Sequence, residues 1–169
     1  MMKTILVQMS DRKWTMEALH QACSLARQHH AQVILLHIIP VTHASYLGTS
    51  YGRTNPVGRE IDDLYEYEAT FEDYGVDALL QPMQAVTTVE AIAAAAELLG
   101  ADLVFAHLPF HRFPLWHRHQ IRALKARLQA CGSTLATPKS DRSLMLYTLE
   151  DGTASRTPCL SSLGGHRGF

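Results

Sequence analysis

Five short apolar segments alternate along the chain with longer segments in which apolar residues recur at helical spacing, and this alternation restricts the possible folds more than any other feature. Short apolar runs predict buried strands, whereas the longer periodic segments predict amphipathic helices. The predicted strands are Lys3–Met9, Gln32–Ile39, Val76–Gln84, Ala101–Ala106 and Ser133–Thr137. The predicted helices are Trp14–His30, Arg59–Tyr74, Thr87–Leu99 and His117–Ala130. This order predicts an α/β fold with a single five-stranded parallel sheet flanked by helices.

Polar residues and a glycine mark the predicted helix ends. Ser10 or Asp11 can cap the first helix, because their side-chain oxygens accept the free backbone N–H groups of its first turn. Thr87 and Glu90 have the spacing of a capping box, and Gly100 follows the end of the same helix. The caps therefore support the same helix boundaries as the apolar pattern.

The predicted strands end at Thr137, so residues 1–138 are assigned to the α/β domain and 139–169 to a C-terminal extension. The end of this extension is rich in Gly, Ser, Thr and Arg, a composition that predicts a flexible or partner-binding segment. Its segment Leu144–Leu149 allows two interpretations, an edge strand of the sheet or a short helix.

The composition argues against several classes of protein. The net charge of −1 disfavours nucleic-acid binding through bulk positive charge. No apolar run approaches the ~20 residues that cross a bilayer, and no apolar signal-peptide region follows the N-terminal residues. The three cysteines lie far apart, which disfavours a disulfide framework or a zinc knuckle. We therefore predict a cytoplasmic protein without a transmembrane segment.

Charge is unevenly distributed along the chain. Residues 60–102 contain eleven acids and no Lys or Arg, whereas residues 103–140 contain six Lys or Arg and no acid. Two interpretations remain open. The two segments are either separate solvated helix faces or parts of a polarised surface that docks onto a partner.

Several motifs of common catalytic sites are missing from the sequence. It contains no HExxH, P-loop or CxxC pattern. The sequence therefore predicts a protein that is not an enzyme.

Several of the apolar and helical segments resemble the universal stress protein family over about residues 3–137. The resemblance lies in Ile5–Val7, Glu17–Leu19, Val33–Ile39, Val89–Ile92 and Gly100–Val104. It implies the universal stress protein fold, which is related to the adenine nucleotide alpha hydrolases. It also implies a homodimer, formed through the edge of the fifth strand.

Members of this family that bind ATP carry a phosphate cradle after the fourth strand, with the pattern glycine, two residues, glycine, nine residues, glycine and then Ser or Thr. Glycines there let the backbone approach the phosphates closely. The corresponding positions here are His107, Phe110, Gln120 and Ile121, so all four differ from the pattern. The family's first-strand Asp aligns with Ser10. The resemblance therefore implies a degenerate nucleotide site that holds no cofactor.

Four residues remain candidates for a residual ligand pocket, because ligands of parallel sheets bind beyond the carboxyl ends of the strands. Ser10 and Asp11 follow the first strand, His37 lies near the end of the second, and His107 follows the fourth. A metal site is not predicted. His107, His111, His117 and His119 are close in sequence, but their spacing does not bring a ligand set together.

The aromatic residues after the fourth strand either plug the vacated cradle or, together with basic residues, form a candidate interaction surface, since aromatics and Arg are enriched in binding patches. Phe110 and Trp116 supply the aromatics, and Arg118, Arg122 and Lys125 form one stripe at helical spacing. The stripe is either a solvated helix edge or a surface for the acidic helix of a second copy, an anionic membrane or a phosphate. Three cations without an RNA-type aromatic motif do not predict nucleic-acid binding.

Taken together, the residues predict a non-enzymatic regulatory or interaction module with a degenerate nucleotide site, acting as a homodimer or with a protein partner. Two alternatives remain. One is a stress protein that binds a nucleotide or small ligand in an altered pocket. The other is an accessory subunit docked on a larger complex, including peripheral docking to a membrane complex.

Overall fold

Strands and helices alternate in the order that the sequence predicts. The structure, a computed structural model, describes residues 2–48, 59–108, 114–138, 144–146 and 155–157. The five parallel strands are β1 (Thr4–Gln8), β2 (Gln32–Pro40), β3 (Ala78–Ala85), β4 (Leu103–Phe105) and β5 (Thr134–Pro138). The helices between them are α1 (Arg12–His29), α2 (Arg59–Tyr74), α3 (Thr88–Leu99) and α4 (Pro114–Ala130), with a short 3-10 turn at Ala44–Tyr46. The predicted five-stranded parallel sheet flanked by helices is thus confirmed.

The sheet has β1 at its centre. Its strand order is β3-β2-β1-β4-β5, continued by two short antiparallel strands, β6 (Leu144–Leu146) and β7 (Ser155–Thr157). Ile5 of β1 pairs with Val33 of β2 on one side and with Leu103 of β4 on the other. The chain therefore builds the sheet outward on one side of β1 and then crosses to the other side.

Each face of the sheet is covered by two helices. Successive side chains of a strand point to opposite faces, and because the central strands carry apolar residues on both, both faces have to be covered. We call the side covered by α1 and α2 the α1/α2 face, where Ile5, Val7 and Leu35 belong to one apolar cluster with residues of both helices. The opposite side, covered by α3 and α4, is the α3/α4 face, where Leu6 and Leu36 point. Aliphatic side chains from the strands lie at the centres of both cores.

The helix ends show how local sequence fixes the elements. Asp11 caps α1 by accepting the Trp14 N–H at 3.0 Å, and Thr87 caps α3 by accepting the Glu90 N–H at 3.3 Å. Gly100 ends α3 with a φ of 60°, a left-handed conformation in which a side chain is strained. The predicted cap positions are confirmed.

Among the helix boundaries, the start of α4 differs most from its prediction. The sequence predicts that α4 begins at His117, whereas the helix begins at Pro114. Proline is accommodated in the first turn of a helix, because the N–H that it lacks has no partner there. Reading Pro114 as part of a loop therefore shortened the predicted helix.

Two segments of the C-terminal extension join the sheet. β6 pairs antiparallel with β5, and Leu146 lies opposite Ala136. Of the two interpretations of Leu144–Leu149, the structure therefore shows the edge strand. β6 therefore occupies the edge of β5 through which the sequence predicts dimerisation. The other residues of 139–169 lie outside the described residues, and the flexible or partner-binding extension stays a prediction.

A carboxylate fastens the first strand to the fourth at their amino ends. The Asp102 side chain accepts the backbone N–H groups of Lys3 at 2.7 Å and Thr4 at 3.0 Å. These hydrogen bonds lower the pKa of Asp102 from its usual value, and the bond from Lys3 contributes most.

None of the described helices is long and apolar enough to cross a membrane.

Candidate functional site

The candidate site lies where the strand order of the sheet reverses. β1 and β4 are neighbours at the centre of the sheet, yet the chain leaves them in opposite directions. Ligands of open parallel sheets bind beyond the carboxyl ends of the strands at such a point. Here the residues that follow β1 and β4 meet, and they include Ser10 and His107.

Ser10 and His107 are in direct contact. The Ser10 Oγ and His107 Nδ1 atoms are 2.7 Å apart, at hydrogen-bond distance. The backbone N–H of His107 donates to Gln8 Oε1 at 2.9 Å, and the backbone N–H of Ser10 donates to Thr15 Oγ1 at 2.9 Å. The imidazole also stacks on the Trp14 ring, with centroids 5.2 Å apart and planes 29° apart. Five residues of β1, α1 and the segment after β4 thus hold one another in place.

The other two candidate pocket residues occupy different positions. Asp11 is exposed, and its carboxylate is used as the N-cap of α1. His37 is half-buried in β2 and pairs with Pro82 of β3, one strand away from the Ser10–His107 contact. The structure therefore brings Ser10 and His107 together, keeps Asp11 beside them in the chain, and sets His37 apart.

An ion-pair cluster lies next to this site, between α1 and α2. Arg12 binds Glu66 at 2.6 Å and Asp63 at 3.3 Å. The hydrogen bond and charge of Glu66 raise the pKa of Arg12 above its usual value. The acidic segment predicted from the sequence is thus not only a solvated face, because two of its carboxylates connect α2 to α1.

A buried tyrosine lies beneath this cluster. Tyr67 is 2% exposed, and burial, as the largest cause, raises the pKa of its phenol above the usual value. Its side chain forms a hydrogen bond with Thr15, the same residue that accepts the N–H of Ser10. The candidate site and the packing of α2 therefore share Thr15.

The candidate interaction residues are only partly described. Phe110 lies outside the described residues, and Trp116 lies in α4, but its side chain is also outside them. Arg118 and Arg122 are exposed on α4, and Lys125 is half-buried there. The predicted stripe thus lies on one helix, and nothing in the structure tests whether a partner binds it.

Three site residues were missed by sequence reasoning. Trp14 and Thr15 were assigned only to the first helix, and Gln8 only to the end of the first strand. Gln8 is 6% exposed, and a polar residue at the carboxyl end of a buried strand is the signal that could have identified it.

Among the described residues, no group of His, Cys, Asp and Glu could hold a metal ion.

Comparison with known proteins identifies the family. The family model described as the universal stress protein family matches residues 1–107, more than half of the chain. The chain belongs to the universal stress protein family. The matched region ends at His107. No curated protein sequence matches the chain.

Solved structures of universal stress proteins share the fold. One, described as a universal stress protein in complex with cAMP, is 15% identical, with a TM-score of 0.53, and the match covers 82% of this chain and 97% of that one. Another, from Burkholderia pseudomallei, is 19% identical, with a TM-score of 0.53, and the match covers 81% of this chain and 96% of that one. At such identities the likeness supports the fold alone.

Proposed function

We propose that this universal stress protein is a non-enzymatic regulatory or interaction module whose nucleotide site is closed by its own side chains. The observation that carries the proposal is the Ser10–His107 contact of 2.7 Å at the point where the strand order reverses. His107 stands where ATP-binding members have the first glycine of the cradle. Its imidazole is held there by Ser10 and by the Trp14 ring.

Two further contacts disfavour a phosphate group at this position. The Asp11 carboxylate caps α1, and a negative charge at a helix N-terminus takes the place where an anion would be stabilised. Ile121, at the hydroxyl position of the cradle pattern, packs partly buried against the core of the α3/α4 face. Both side chains therefore serve the fold, and Ile121 does so at a position where family members with a cradle would bind a ligand.

The proposal is tested by nucleotide binding to the purified full-length protein. Thermal unfolding is followed with ATP and Mg²⁺, and in parallel with cAMP, because one structural neighbour is described as a cAMP complex. A ligand present at 100 times its Kd would add about 2.7 kcal/mol to the free energy of unfolding. We expect no such stabilisation with either nucleotide.

A variant of the contact completes the test. His107→Gly removes the imidazole but leaves Phe110, Gln120 and Ile121 in place of the remaining cradle residues, so we expect it to gain no ATP binding. Stabilisation of the wild-type protein by several degrees, or nucleotide that co-purifies with it, would contradict the closed site. Either result would favour the alternative function, a ligand-binding stress protein with an altered pocket.

Self-association and location belong to the same proposal. Homodimerisation must use a surface other than the edge of β5, because β6 of the same chain pairs there. Light scattering at micromolar concentration tests it, and a monodisperse monomer would remove the homodimer from the proposal. Family membership supports a cytoplasmic location, which fractionation of the native cell would test.

A further inference from the structure

An apolar groove lies on the α1/α2 face at the outer end of the sheet. It has a volume of about 560 Å³ and runs between α2 and β3, with Leu64, Phe71, Val76 and Leu80 among the residues that line it. Phe71 is 8% exposed, whereas Leu80 is 44% exposed. The groove therefore deepens from an exposed strand residue to a buried aromatic, a shape that accepts an apolar side chain from outside.

The rim of this groove is acidic. Glu68, Glu72 and Asp77 line it and are exposed, and no Lys or Arg lines it. Between described residues, no ion pair involves these three carboxylates. Lys3 and Arg27 line a neighbouring groove that shares Glu72 and Asp77, so positive charge lies on the other side of the α2–β3 turn. An occupant of the apolar groove would meet carboxylates and no competing cation among its lining residues.

The edge of β3 beside the groove is available for backbone pairing. The N–H of Val33 donates to the Asp77 C=O at 3.0 Å, and the N–H of Val41 donates to the Ala85 C=O at 2.9 Å. Odd-numbered residues of β3 therefore face β2, and the backbone groups of Ala78 and Leu80 face outward. No described strand pairs with that side of β3.

A proline limits where a strand can be added. Pro82 also faces outward and has no N–H to donate, which is the usual position of proline in an edge strand. Ala78 and Leu80, whose backbone N–H and C=O groups face outward, both line the groove. The part of the edge that can pair is therefore the part that adjoins the apolar floor and the acidic rim.

We propose that this site binds an extended segment of a partner protein, which pairs with the Ala78–Gln81 edge of β3 and carries apolar and basic residues toward the groove. An apolar side chain of the segment would pack on Leu80 and Leu64, and a Lys or Arg two residues away would reach Glu68 or Glu72. Strand addition of this kind draws affinity from the main chain and specificity from alternate side chains. The inference rests on the proposed function, since it names the partner of the interaction module.

The test uses the full-length protein and a defined probe. The probe is a fluorescein-labelled peptide of about eight residues with the repeat Thr-Leu-Thr-Arg, whose Leu and Arg side chains share one face when the peptide is extended. A matched peptide has Glu in place of each Arg. By fluorescence anisotropy we expect the Arg peptide to bind at least about tenfold more tightly than the Glu peptide, with the difference shrinking at high salt.

Charge-reversal variants locate the site. Glu68→Lys combined with Glu72→Lys should weaken binding of the Arg peptide at least about tenfold, because both carboxylates lie on the rim. Glu97→Lys is the matched control, since Glu97 is an exposed acid on α3, on the opposite face. It should change the affinity by less than about twofold.

Two further measurements separate strand addition from simple charge attraction. Leu80→Ser, which leaves the charge of the groove unchanged, should weaken binding through loss of the apolar floor, with circular dichroism confirming the fold of the variant. Two N-methylated peptides are compared, one methylated at its odd-numbered residues and the other at its even-numbered residues. Their affinities should differ, because only one of the two patterns removes the N–H groups that pair with β3. The peptide that keeps these groups should bind like the parent peptide.

Several results would overturn the proposal. Equal binding of the Arg and Glu peptides, an equal effect of Glu97→Lys, or indifference to N-methylation in both patterns would each do so. A dimer that the Glu68→Lys, Glu72→Lys variant converts to a monomer would show that a second copy fills the groove. ATP binding by the wild-type protein would contradict the closed nucleotide site but leave the peptide result standing, so the two failures are distinguishable.

Discussion

The two faces of the sheet are built differently, although they share the same strands. The core of the α3/α4 face consists of aliphatic side chains, with Ile92, Leu124 and Leu128 fully or almost fully buried. The α1/α2 face also buries Cys23 and Tyr67, and Arg12 connects its helices through two carboxylates. The hydrophobic core of the α3/α4 face is thus aliphatic, whereas polar and titratable side chains are part of the packing on the α1/α2 face.

This difference coincides with the location of the proposed sites. Trp14 belongs to α1 and borders the Ser10–His107 contact, and the acidic groove lies between α2 and β3. The α3/α4 face supplies the well-packed layer against which the sheet is fixed. One face of this fold therefore supplies rigidity, and the other carries the polar groups and openings that binding requires.

The largest expected effect comes from the aliphatic face. Ile92→Ala should lower the free energy of unfolding by about 3 kcal/mol, because it removes buried methyl groups and leaves a cavity that a close-packed layer fills poorly. Urea unfolding at neutral pH measures the loss. Leu98→Ala, on the exposed side of the same helix, is the control and should have little effect. Equal losses for both variants would mean that the α3/α4 face is not the rigid layer.

The second effect is a pH dependence confined to the α1/α2 face. Burial raises the pKa of Cys23 to about 12, whereas an unfolded cysteine ionises near pH 8.5. Above that pH the unfolded state loses a proton that the folded state keeps, so stability falls as the pH rises toward the folded pKa. Cys23→Ala should make this alkaline fall shallower in urea unfolding, and Cys131→Ala, at an exposed cysteine, should leave it unchanged.

The third prediction concerns Tyr67. At neutral pH, Tyr67→Phe should cost about 1 kcal/mol, because it removes the hydrogen bond with Thr15. Above about pH 10 an unfolded tyrosine ionises, while the raised pKa keeps the folded side chain neutral, so the wild-type protein loses stability there and the variant does not. The difference in the free energy of unfolding between the wild-type protein and the variant should therefore be smaller at about pH 10.5 than at pH 7. A constant difference between the two proteins would contradict the assignment.

The smallest expected effect is that of the exposed ion pairs. Arg12→Gln removes the contacts to Asp63 and Glu66, yet solvent and salt screen charges at an exposed position. We expect a shift of the urea midpoint smaller than that of Ile92→Ala or of Tyr67→Phe at neutral pH, and no shift at high salt. A large, salt-independent loss would show that the contact between α1 and α2 depends on these charges more than on packing.

The fold was predictable because its signals are local. The apolar runs of β1 and β2 and the caps Asp11 and Thr87 each lie within a few residues of the element that they define. β7 was not predicted, because Ser155–Thr157 has no apolar pattern and its strand exists through pairing with β6. Boundaries that depend on tertiary pairing are not written in the local sequence.

The candidate site was predictable only in part, for a similar reason. The topology of a parallel sheet places the residues after β1 and β4 together, and this rule identified Ser10 and His107. The stacking of Trp14 depends on how α1 is rotated on the sheet, and the bond to Gln8 depends on which way the Gln8 side chain extends from β1. No spacing rule specifies either. The groove requires knowing that β3 is the outer strand and how far α2 stands from it.

The central position of β1 has a consequence for the order of events during synthesis. β1 can pair with its second neighbour only late, because Ile5 pairs with Leu103 and the intervening residues must leave the ribosome first. Until then one side of β1 is an open strand edge on a nascent chain. Non-local parallel pairing of this kind folds slowly, so a chaperone that shields nascent apolar strands should raise the yield of folded protein.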